Sequence, residues 1–303
     1  MREYTPRQIE ILTLLSKYGV LGSKMIQSLL KQNVGMNRLR ESLQGMEGRD
    51  LICRFNFNPG GTPMSYWMLP DEDSAKGRAI RASGLKEIFF RHKRGRYSHI
   101  PHENFCTLVH ASLERQMPTL QIIREATKNF GALPKHLISA RAEDDGYTPD
   151  LCVGVPGKNL VQAQPKSGLR WIAVEVDRSN RSKKRMAQRM NIYTKHTAFS
   201  GLLYLVPNVA TAKSLREIYV TRGGKNTFRL RGAATSFLAV GTVPNNIFDV
   251  NEMSIWCGDH EIPLSAWLSL FALNEAQERD DALSGLSGHT TGIKELKTKT
   301  LTK

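Results

Sequence analysis

Residues 169–177, Leu-Arg-Trp-Ile-Ala-Val-Glu-Val-Asp, constrain the fold of this chain more than any other segment, because an apolar run ends there on two acids. A run of this kind predicts a buried strand. The run at 201–206, Gly-Leu-Leu-Tyr-Leu-Val, predicts a central strand of the same sheet. With the helical patterns around these strands, residues 101–250 are predicted to form an α/β (α+β) domain, a mixed sheet flanked by helices.

The elements of this domain are predicted in the order helix, helix, strand, strand, strand, helix, strand, helix. The first two helices are expected near 102–116 and 118–130. A crossing helix is expected from Ala210 to Glu217, and a further strand is expected to start at Glu217. Beyond this domain, residues 251–281 are predicted to hold a C-terminal helix, which runs from Pro263 to Asp281.

The first 70 residues carry three short helical patterns followed by a hairpin. Residues 5–8, Thr-Pro-Arg-Gln, have the form of a capping box with Pro at the first helical position. Apolar residues three or four apart predict further helices from Ser23 and Met36, and alternation over 51–69 predicts the hairpin. Three helices and a hairpin in this order resemble a winged helix-turn-helix domain.

In a winged helix-turn-helix domain, the third helix enters the major groove of DNA. The polar face of the third helix predicted here carries Asn37, Arg38 and Arg40, residue types that reach bases or phosphates. Two alternatives remain open: an ordinary solvated face, or a module that binds protein. The formal charge of +15 favours an anionic partner, and nucleic acid in particular.

Other classes of protein fit the sequence less well. No apolar run is long enough to cross a bilayer, so no membrane insertion is expected, and the first residues do not resemble a signal peptide. None of the four cysteines is paired at C-x-x-C spacing, which argues against a zinc site and suits free thiols in a reducing cytoplasm. The cysteines are Cys53, Cys106, Cys152 and Cys257.

Two further segments are basic. Residues 71–100 are predicted to be a linker in which Arg91, Lys93 and Arg94 either follow DNA phosphates or are simply solvated. Residues 282–303 are rich in Ser, Gly, Thr and Lys, which predicts a flexible basic tail that adds non-specific affinity for DNA.

Three carboxylates mark the candidate chemistry. Asp150 opens one predicted strand, and Glu175 and Asp177 end the next strand on the same face. If the two strands pair in register, the three acids converge, and they repel one another unless a hard cation such as Mg²⁺ or Mn²⁺ lies between them. The alternatives are that Asp150 forms a turn, that Glu175 is salt-bridged, and that Asp177 caps the following helix.

Pro149-Asp150 together with Glu175-Val176-Asp177 resembles the motif of PD-(D/E)xK nucleases, which are restriction-endonuclease-like enzymes. The resemblance implies that Asp150, Glu175 and Asp177 bind a metal ion at a catalytic site. Asp177 stands where the motif has a lysine. The basic residue would then come from the following helix, as Lys184 or Arg189, and would steady the charge that develops on the phosphate.

Glu175-Val-Asp177-Arg178, the basic helix that follows and Arg189-x-x-x-Tyr193 resemble the replication-relaxation family of plasmid and conjugative elements. The resemblance implies a winged helix joined to a nuclease-type domain. The family includes MOB-C relaxases, which nick plasmid DNA with metal-binding carboxylates, and proteins of plasmid replication control. On the basic helix, Arg178 and Lys183 either contact DNA or are solvated.

Two functions are therefore expected from the sequence. The first is a metal-dependent DNA nickase of a plasmid or mobile element, directed to its double-stranded site by the winged helix and assisted by accessory mobilization or replication proteins. The second is a non-catalytic regulator of plasmid replication or transcription that keeps the nuclease scaffold as a DNA clamp. The acids favour the first function, and the missing motif lysine favours the second.

Overall fold

A computed structural model of the chain describes residues 4–57, 64–70, 74, 77–78, 100–124, 149–157, 168–177, 186, 193, 199–220, 237–243, 246–273 and 278–286. The chain divides into two compact units. The first is formed mainly by residues up to Ala111 and the second mainly by residues from Ser112 onward. The fold is mixed α/β, as predicted.

The first unit begins with the three predicted helices and the predicted hairpin, and it has one further strand, β1 (Leu21–Gly22), that was not predicted. In chain order the elements are α1 (Pro6–Tyr18), β1, α2 (Ser23–Leu29), α3 (Met36–Gly48), β2 (Cys53–Phe57) and β3 (Met64–Met68). The predicted capping box is confirmed, because the Thr5 hydroxyl oxygen accepts from the backbone N–H of Gln8 at 3.3 Å while the Thr5 N–H donates to the Gln8 side chain. Pro6 lies at the first helical position, where no N–H is needed.

The core of the first unit lies between its helices and a small sheet in which β3 pairs with both β1 and β2, in antiparallel fashion. On α3, the apolar stripe predicted from the sequence is Met36, Leu39, Leu43 and Met46; Met36 is half-buried and the other three are fully buried. Each such side chain stabilises the unit by about 1.5–3 kcal/mol relative to an exposed position. The polar residues of α3 therefore lie on its opposite, exposed face.

Helix α4 (Ile100–Gln116) belongs to the first unit as far as Ala111. Within that unit, the Asn104 side chain accepts from the backbone N–H of Gly22 at 3.0 Å, and the Thr107 hydroxyl donates to the carbonyl of Tyr18 at 3.1 Å. The ring of His110 packs edge-on against the Tyr18 ring. The first unit therefore includes part of a helix that the sequence assigns to the second domain.

The second unit is built on a seven-stranded sheet of order β10-β9-β8-β7-β6-β5-β4. Strands β6, β7 and β8 are parallel, and the other pairs are antiparallel. The strands are β4 (Gln121–Arg124), β5 (Leu151–Pro156), β6 (Leu169–Val176), β7 (Gly201–Val206), β8 (Leu238–Thr242), β9 (Ser254–Cys257) and β10 (His260–Pro263); the helices are α5 (Val209–Val220), α6 (Leu264–Leu270) and α7 (residues 278–286).

One row of side chains shows how the core of this sheet is built. Ile123, Cys152, Ala173, Leu202 and Leu238 are successive partners across five strands, and all five are buried. Successive residues along a strand face opposite ways, so this row and every second residue from it share one face. Helical residues cover that face, namely Met186, Tyr193, Ala212 and Leu215.

Three predicted elements differ from the structure. The helix expected over 118–130 is wrong for 121–124, which form β4 and pair with β5. The strand expected from Glu217 is wrong, because α5 continues to Val220. Residues 254–263, in the segment predicted to hold the C-terminal helix, form β9 and β10 and extend the sheet past residue 250, while the helix predicted from Pro263 begins at Leu264. For β4, β9 and β10 the competing local patterns are short, and strand pairing decides between them; residues 217–220 instead continue the helix that precedes them.

None of the helices that the structure describes is both long enough and apolar enough to cross a membrane.

Candidate functional site

Asp150 and Glu175 lie opposite one another at one end of the sheet. β5 and β6 pair with Leu151 opposite Val174, so the next pair outward is Asp150 and Glu175. Asp150 is half-buried, and its Oδ2 accepts a hydrogen bond from the backbone N–H of Val176 at 2.7 Å. The in-register pairing that the candidate site requires is therefore present for these two acids.

Glu175 is the most deeply buried of the three acids, with 0% of its surface exposed. Its Oε1 accepts a hydrogen bond from the hydroxyl of Tyr193, which is itself 2% exposed. Tyr193 and Met186, the residues of 178–198 that the structure describes, are both helical, and both are buried in the core cluster of the sheet. Tyr193 thus reaches the sheet from the segment that follows β6.

Asp177 follows the last residue of β6 and is 3% exposed. Its backbone N–H donates to the carbonyl of Leu205 on β7 at 2.8 Å, so the chain still lies beside β7 at this position. Its Oδ2 accepts from the hydroxyl of Tyr204 at 2.9 Å. Tyr204 is the β7 partner of Glu175, and its side chain reaches diagonally to the acid two residues further along β6.

The acids therefore form a group with two tyrosines, which we call the carboxylate–tyrosine cluster: Asp150, Glu175, Asp177, Tyr193 and Tyr204. A buried carboxylate is costly unless hydrogen bonds or an opposite charge compensate for the lost water. Tyrosine hydroxyls supply such bonds to both fully buried acids. A turn-forming Asp150 and a salt-bridged Glu175 stay open as alternatives, and the helix that Asp177 would cap begins outside the residues that the structure describes.

The donor atoms of the cluster are carboxylate oxygens, which Mg²⁺ and Mn²⁺ prefer. A carboxylate has two oxygens and about four lone-pair sites, so one accepted hydrogen bond does not exhaust its capacity to bind a cation. The hydrogen bonds described above involve one oxygen of each acid. The donor chemistry therefore suits a hard divalent ion. The geometry does not yet form such a site, because the three acids are not among the described groups whose ligand atoms all lie within 4.8 Å of one another.

A separate group of charges lies at the other end of β6. Arg170 donates to the carbonyl of Phe271 at 2.8 Å, and Arg279 lies over the Phe271 ring at 5.5 Å. Burial lowers the pKa of Arg279, the positive charge of Arg170 lowers it further, and Asp280 and Glu278 oppose both effects. These contacts attach the C-terminal helices to the sheet, and we assign them a structural role.

The remaining predicted site residues fall into two groups. Asn37, Arg38 and Arg40 are all exposed on α3, where a nucleic acid can reach them. The basic residues predicted to act on DNA or at the catalytic site elsewhere lie outside the residues that the structure describes. They are Arg91, Lys93, Arg94, Arg178, Lys183, Lys184 and Arg189.

Tyr204 is the residue of the cluster that the sequence does not identify, because it lies within an apolar run and is interpreted there as core. For Tyr193 the sequence favours a packing residue over a relaxase nucleophile, and its ring does pack, since the centroids of the Tyr193 and Phe199 rings are 5.8 Å apart. The signal that the sequence does offer is chemical: a tyrosine inside an otherwise aliphatic strand needs a partner for its hydroxyl when it is buried. The identity of that partner depends on strand pairing.

Comparisons of this chain with protein-family models, with curated proteins and with solved structures found no match.

Proposed function

We propose that this chain is a DNA-binding protein of a plasmid or other mobile element, and that its second unit is a metal-dependent DNA nickase of the relaxase type. The observation that carries the proposal is the hydrogen bond from the backbone N–H of Val176 to Asp150, one residue beyond the last pair of β5 and β6, which brings Asp150 to the strand end that carries Glu175 and Asp177. Acids brought together in this way beside a basic segment suit a site that holds a cation against DNA phosphate.

The order of elements in the second unit supports a nuclease scaffold of the PD-(D/E)xK type. Among the described residues of the second unit, three antiparallel strands, helical residues at 186 and 193, a strand parallel to the third and a helix follow one another. The strand β4 lies within the predicted second helix, and the strand predicted over 136–142 lies outside the described residues. In this scaffold the candidate acids lie on the second and third strands, β5 and β6.

In the proposed enzyme, Asp150, Glu175 and Asp177 hold Mg²⁺ or Mn²⁺. The ion, when bound, polarises a phosphodiester and activates water. Asp150, the half-buried member, lies nearest to solvent and is the acid that approaching DNA reaches first. Lys184 or Arg189 is proposed to replace the missing motif lysine by stabilising the negative charge of the pentacovalent phosphate.

The first unit is proposed to be a winged helix-turn-helix domain that selects the DNA site. Three helices and a β2–β3 hairpin support this assignment, together with the exposed Asn37, Arg38 and Arg40 on α3. Arg38 and Arg40 suit guanine or phosphate, and Asn37 suits adenine. The chain's charge of +15 supplies the general attraction to DNA.

The test is a nicking assay on supercoiled plasmid carrying DNA of the protein's own element, with Mg²⁺ or Mn²⁺ and, in parallel, with accessory mobilization proteins. The wild type is expected to produce open circles, and an Asp150→Asn, Glu175→Gln double variant is expected to be slower by on the order of 100-fold or more. Glu252→Gln is the matched control, because Glu252 is an exposed acid of the same unit outside the cluster. Equal nicking by wild type and double variant would refute the proposal.

A non-catalytic regulator is the second candidate, and the tyrosine hydrogen bonds to Glu175 and Asp177 favour it. These bonds compensate both buried acids without a cation, so the cluster could serve the stability of the scaffold alone. The regulator predicts tight, salt-sensitive DNA binding by wild type and double variant alike, with no nicking by either even when partner proteins are present.

A further inference from the structure

We infer that Asn37, Glu41 and Gln44 on α3 determine which DNA sequence the first unit binds, because they contact base edges in the major groove. Arg38 and Arg40, on the two flanks of the same helix, bind phosphates and supply affinity that does not depend on the sequence. The inference rests on the proposed function and deepens it. It adds Glu41 and Gln44 to the residues that contact DNA, and it separates the residues that contact bases from those that contact phosphates.

The buried stripe of α3 locates the centre of its exposed face. Leu39, Leu43 and Met46 fix the side of the helix that packs into the unit. With about 3.6 residues per turn, the side directly opposite this stripe is occupied by another set of positions, all of them exposed. They are Asn37, Glu41, Gln44, Gly45 and Gly48.

The two glycines leave the lower half of this face open. A Cβ added to Gly45 or Gly48 would meet nothing within 4 Å, so no other part of the described structure covers the helix there. A DNA groove can therefore approach the backbone of α3 closely beside Gln44. A short approach is what an amide side chain needs to reach a base edge.

The two arginines lie on opposite flanks of the exposed face. Arg38 and Arg40 are two positions apart, so they project about 160° apart around the helix axis. Arg40 lies on the same flank as Glu47, which pairs with Arg54 of β2 at 3.3 Å, so this flank is the one beside the hairpin. A helix in the major groove has a phosphate backbone on each side, and an arginine on each flank complements both negative charges.

Glu41 is the residue that distinguishes base contact from general attraction. A carboxylate in the middle of a DNA-facing surface repels phosphate and weakens binding to DNA of any sequence. It becomes favourable opposite cytosine, whose N4 amino group donates a hydrogen bond to it. A group that repels unsuitable partners and is compensated by the correct one provides specificity.

The spacing of these side chains predicts the kind of sequence that is bound. Asn37 and Gln44 are seven positions apart, or about 10 Å along the helix, with Glu41 between them. At about 3.4 Å per base pair this distance corresponds to about three base pairs. Amide side chains pair with adenine through N6 and N7, so we expect adenines near a cytosine within these base pairs.

The experiment selects duplexes from a random DNA library with the full-length protein and sequences those that bind. The buffer contains EDTA, so that nicking does not interfere. The wild type is expected to enrich a motif with adenine and cytosine at this spacing. Gln44→Ala is expected to reduce the preference at one base position by roughly 10-fold. Gln32→Ala is the matched control, because Gln32 is an exposed glutamine of the same unit outside α3, and it is expected to enrich the wild-type motif.

The charged residues give the opposite result. Arg40→Ala is expected to weaken binding to selected and unselected duplexes alike and to enrich the same motif as the wild type. Glu41→Gln is expected to bind unselected duplexes more tightly, by roughly 3-fold or more, and to lose the preference for cytosine. Glu252→Gln removes an equal charge from an exposed position of the second unit and is expected to keep the wild-type preference. Fluorescence anisotropy measures the affinities, and circular dichroism establishes that each variant is folded.

An unchanged motif in the folded Gln44→Ala and Glu41→Gln variants overturns the inference. A changed motif in Arg38→Ala or Arg40→Ala also overturns it, because the arginines would then contact bases. Failure of the proposed function gives a different result: if the wild type enriches no motif, the first unit does not select a DNA site and the inference falls with that proposal. A motif that is lost in the Gln44 and Glu41 variants supports the inference whether or not the wild type nicks DNA.

Discussion

Asp150 accepts a hydrogen bond from the backbone N–H of Val176 on the neighbouring strand, with 2.7 Å between Oδ2 and the nitrogen. One carboxylate oxygen thus continues the pairing of β5 and β6 beyond its last residue pair. The same contact holds the Asp150 side chain beside Glu175. Asp150, which the sequence predicts at the start of a strand, therefore contributes both to the sheet and to the candidate site.

Asp150→Ala is expected to lower the free energy of unfolding by about 1 kcal/mol, because the Val176 N–H loses its acceptor. Asp150→Asn keeps an oxygen in the same place and is expected to stay within about 0.5 kcal/mol of the wild type. Urea denaturation followed by circular dichroism measures both. Equal stability of the alanine variant and the wild type would show that the bond contributes nothing.

Tyr204→Phe is expected to cost about 1–3 kcal/mol of folding stability, because the buried Asp177 carboxylate loses a donor. A double-mutant cycle with Asp177→Ala is expected to give a coupling energy of about 0.5–3 kcal/mol between the two residues. In the control cycle, Tyr66→Phe replaces Tyr204→Phe. The effects of Tyr66→Phe and Asp177→Ala on the free energy of unfolding are expected to add within about 0.5 kcal/mol. A coupling energy near zero between Tyr204 and Asp177 would contradict the hydrogen bond.

Gly201→Ala is expected to destabilise the second unit by about 1–3 kcal/mol, because the added Cβ would lie 2.8 Å from Cε1 of the buried Phe271 ring. Gly45→Ala on α3 is the matched control. Its Cβ meets nothing within 4 Å, so alanine is expected to stabilise this helix by about 0.5–1 kcal/mol. Thermal unfolding of both variants measures the difference, and a neutral Gly201→Ala would contradict the packing against Phe271.

Cys257 is expected to resist alkylation in the folded protein. Burial, with a smaller effect of the nearby negative charge of Asp280, raises the pKa of its thiol from 9.0 to about 12, so almost none is thiolate at pH 8. Deprotonation is therefore unfavourable in the folded state, and this part of the stability is present below pH 9 and is lost as pH rises towards 12.

A thiol titration at about pH 8 is expected to show one fast-reacting cysteine under native conditions and all four after unfolding. Cys53 is half-exposed and the other three are buried, so Cys53→Ser is expected to remove the fast reaction. Rapid native labelling of Cys257, identified by mass spectrometry, would contradict its burial.

Arg38→Ala and Arg40→Ala are expected to weaken DNA binding. Each is also expected to reduce the slope of log affinity against log salt concentration by about 1 for every DNA phosphate that the arginine neutralises in the wild type. Lys213→Ala removes an equal charge from an exposed position on α5 and serves as the control. Fluorescence anisotropy over a salt series measures the slopes. Identical slopes for all three variants would mean that each positive charge contributes equally to DNA binding wherever it lies, and that α3 makes no phosphate contact of its own.

The local features of the first unit could be predicted from the sequence. The capping box at Thr5 and the buried stripe on α3 depend on residues within one or two helical turns of each other, so the spacing of side chains along the chain is sufficient to define them. The strand character of β6 and β7 was predictable for the same reason, since a run of buried apolar side chains shows directly in the sequence.

Only the tertiary structure decided the rest. Residues 121–124 form a strand because they pair with β5. Residues 217–220 remain helical because they continue α5. Tyr204 joins the candidate site because the parallel register of β6 and β7 sets its hydroxyl beside Asp177, 27 positions away in the chain. The sequence by itself determined which carboxylates are available. Strand register determined what lies next to them, because a shift of one residue would turn every side chain to the other face.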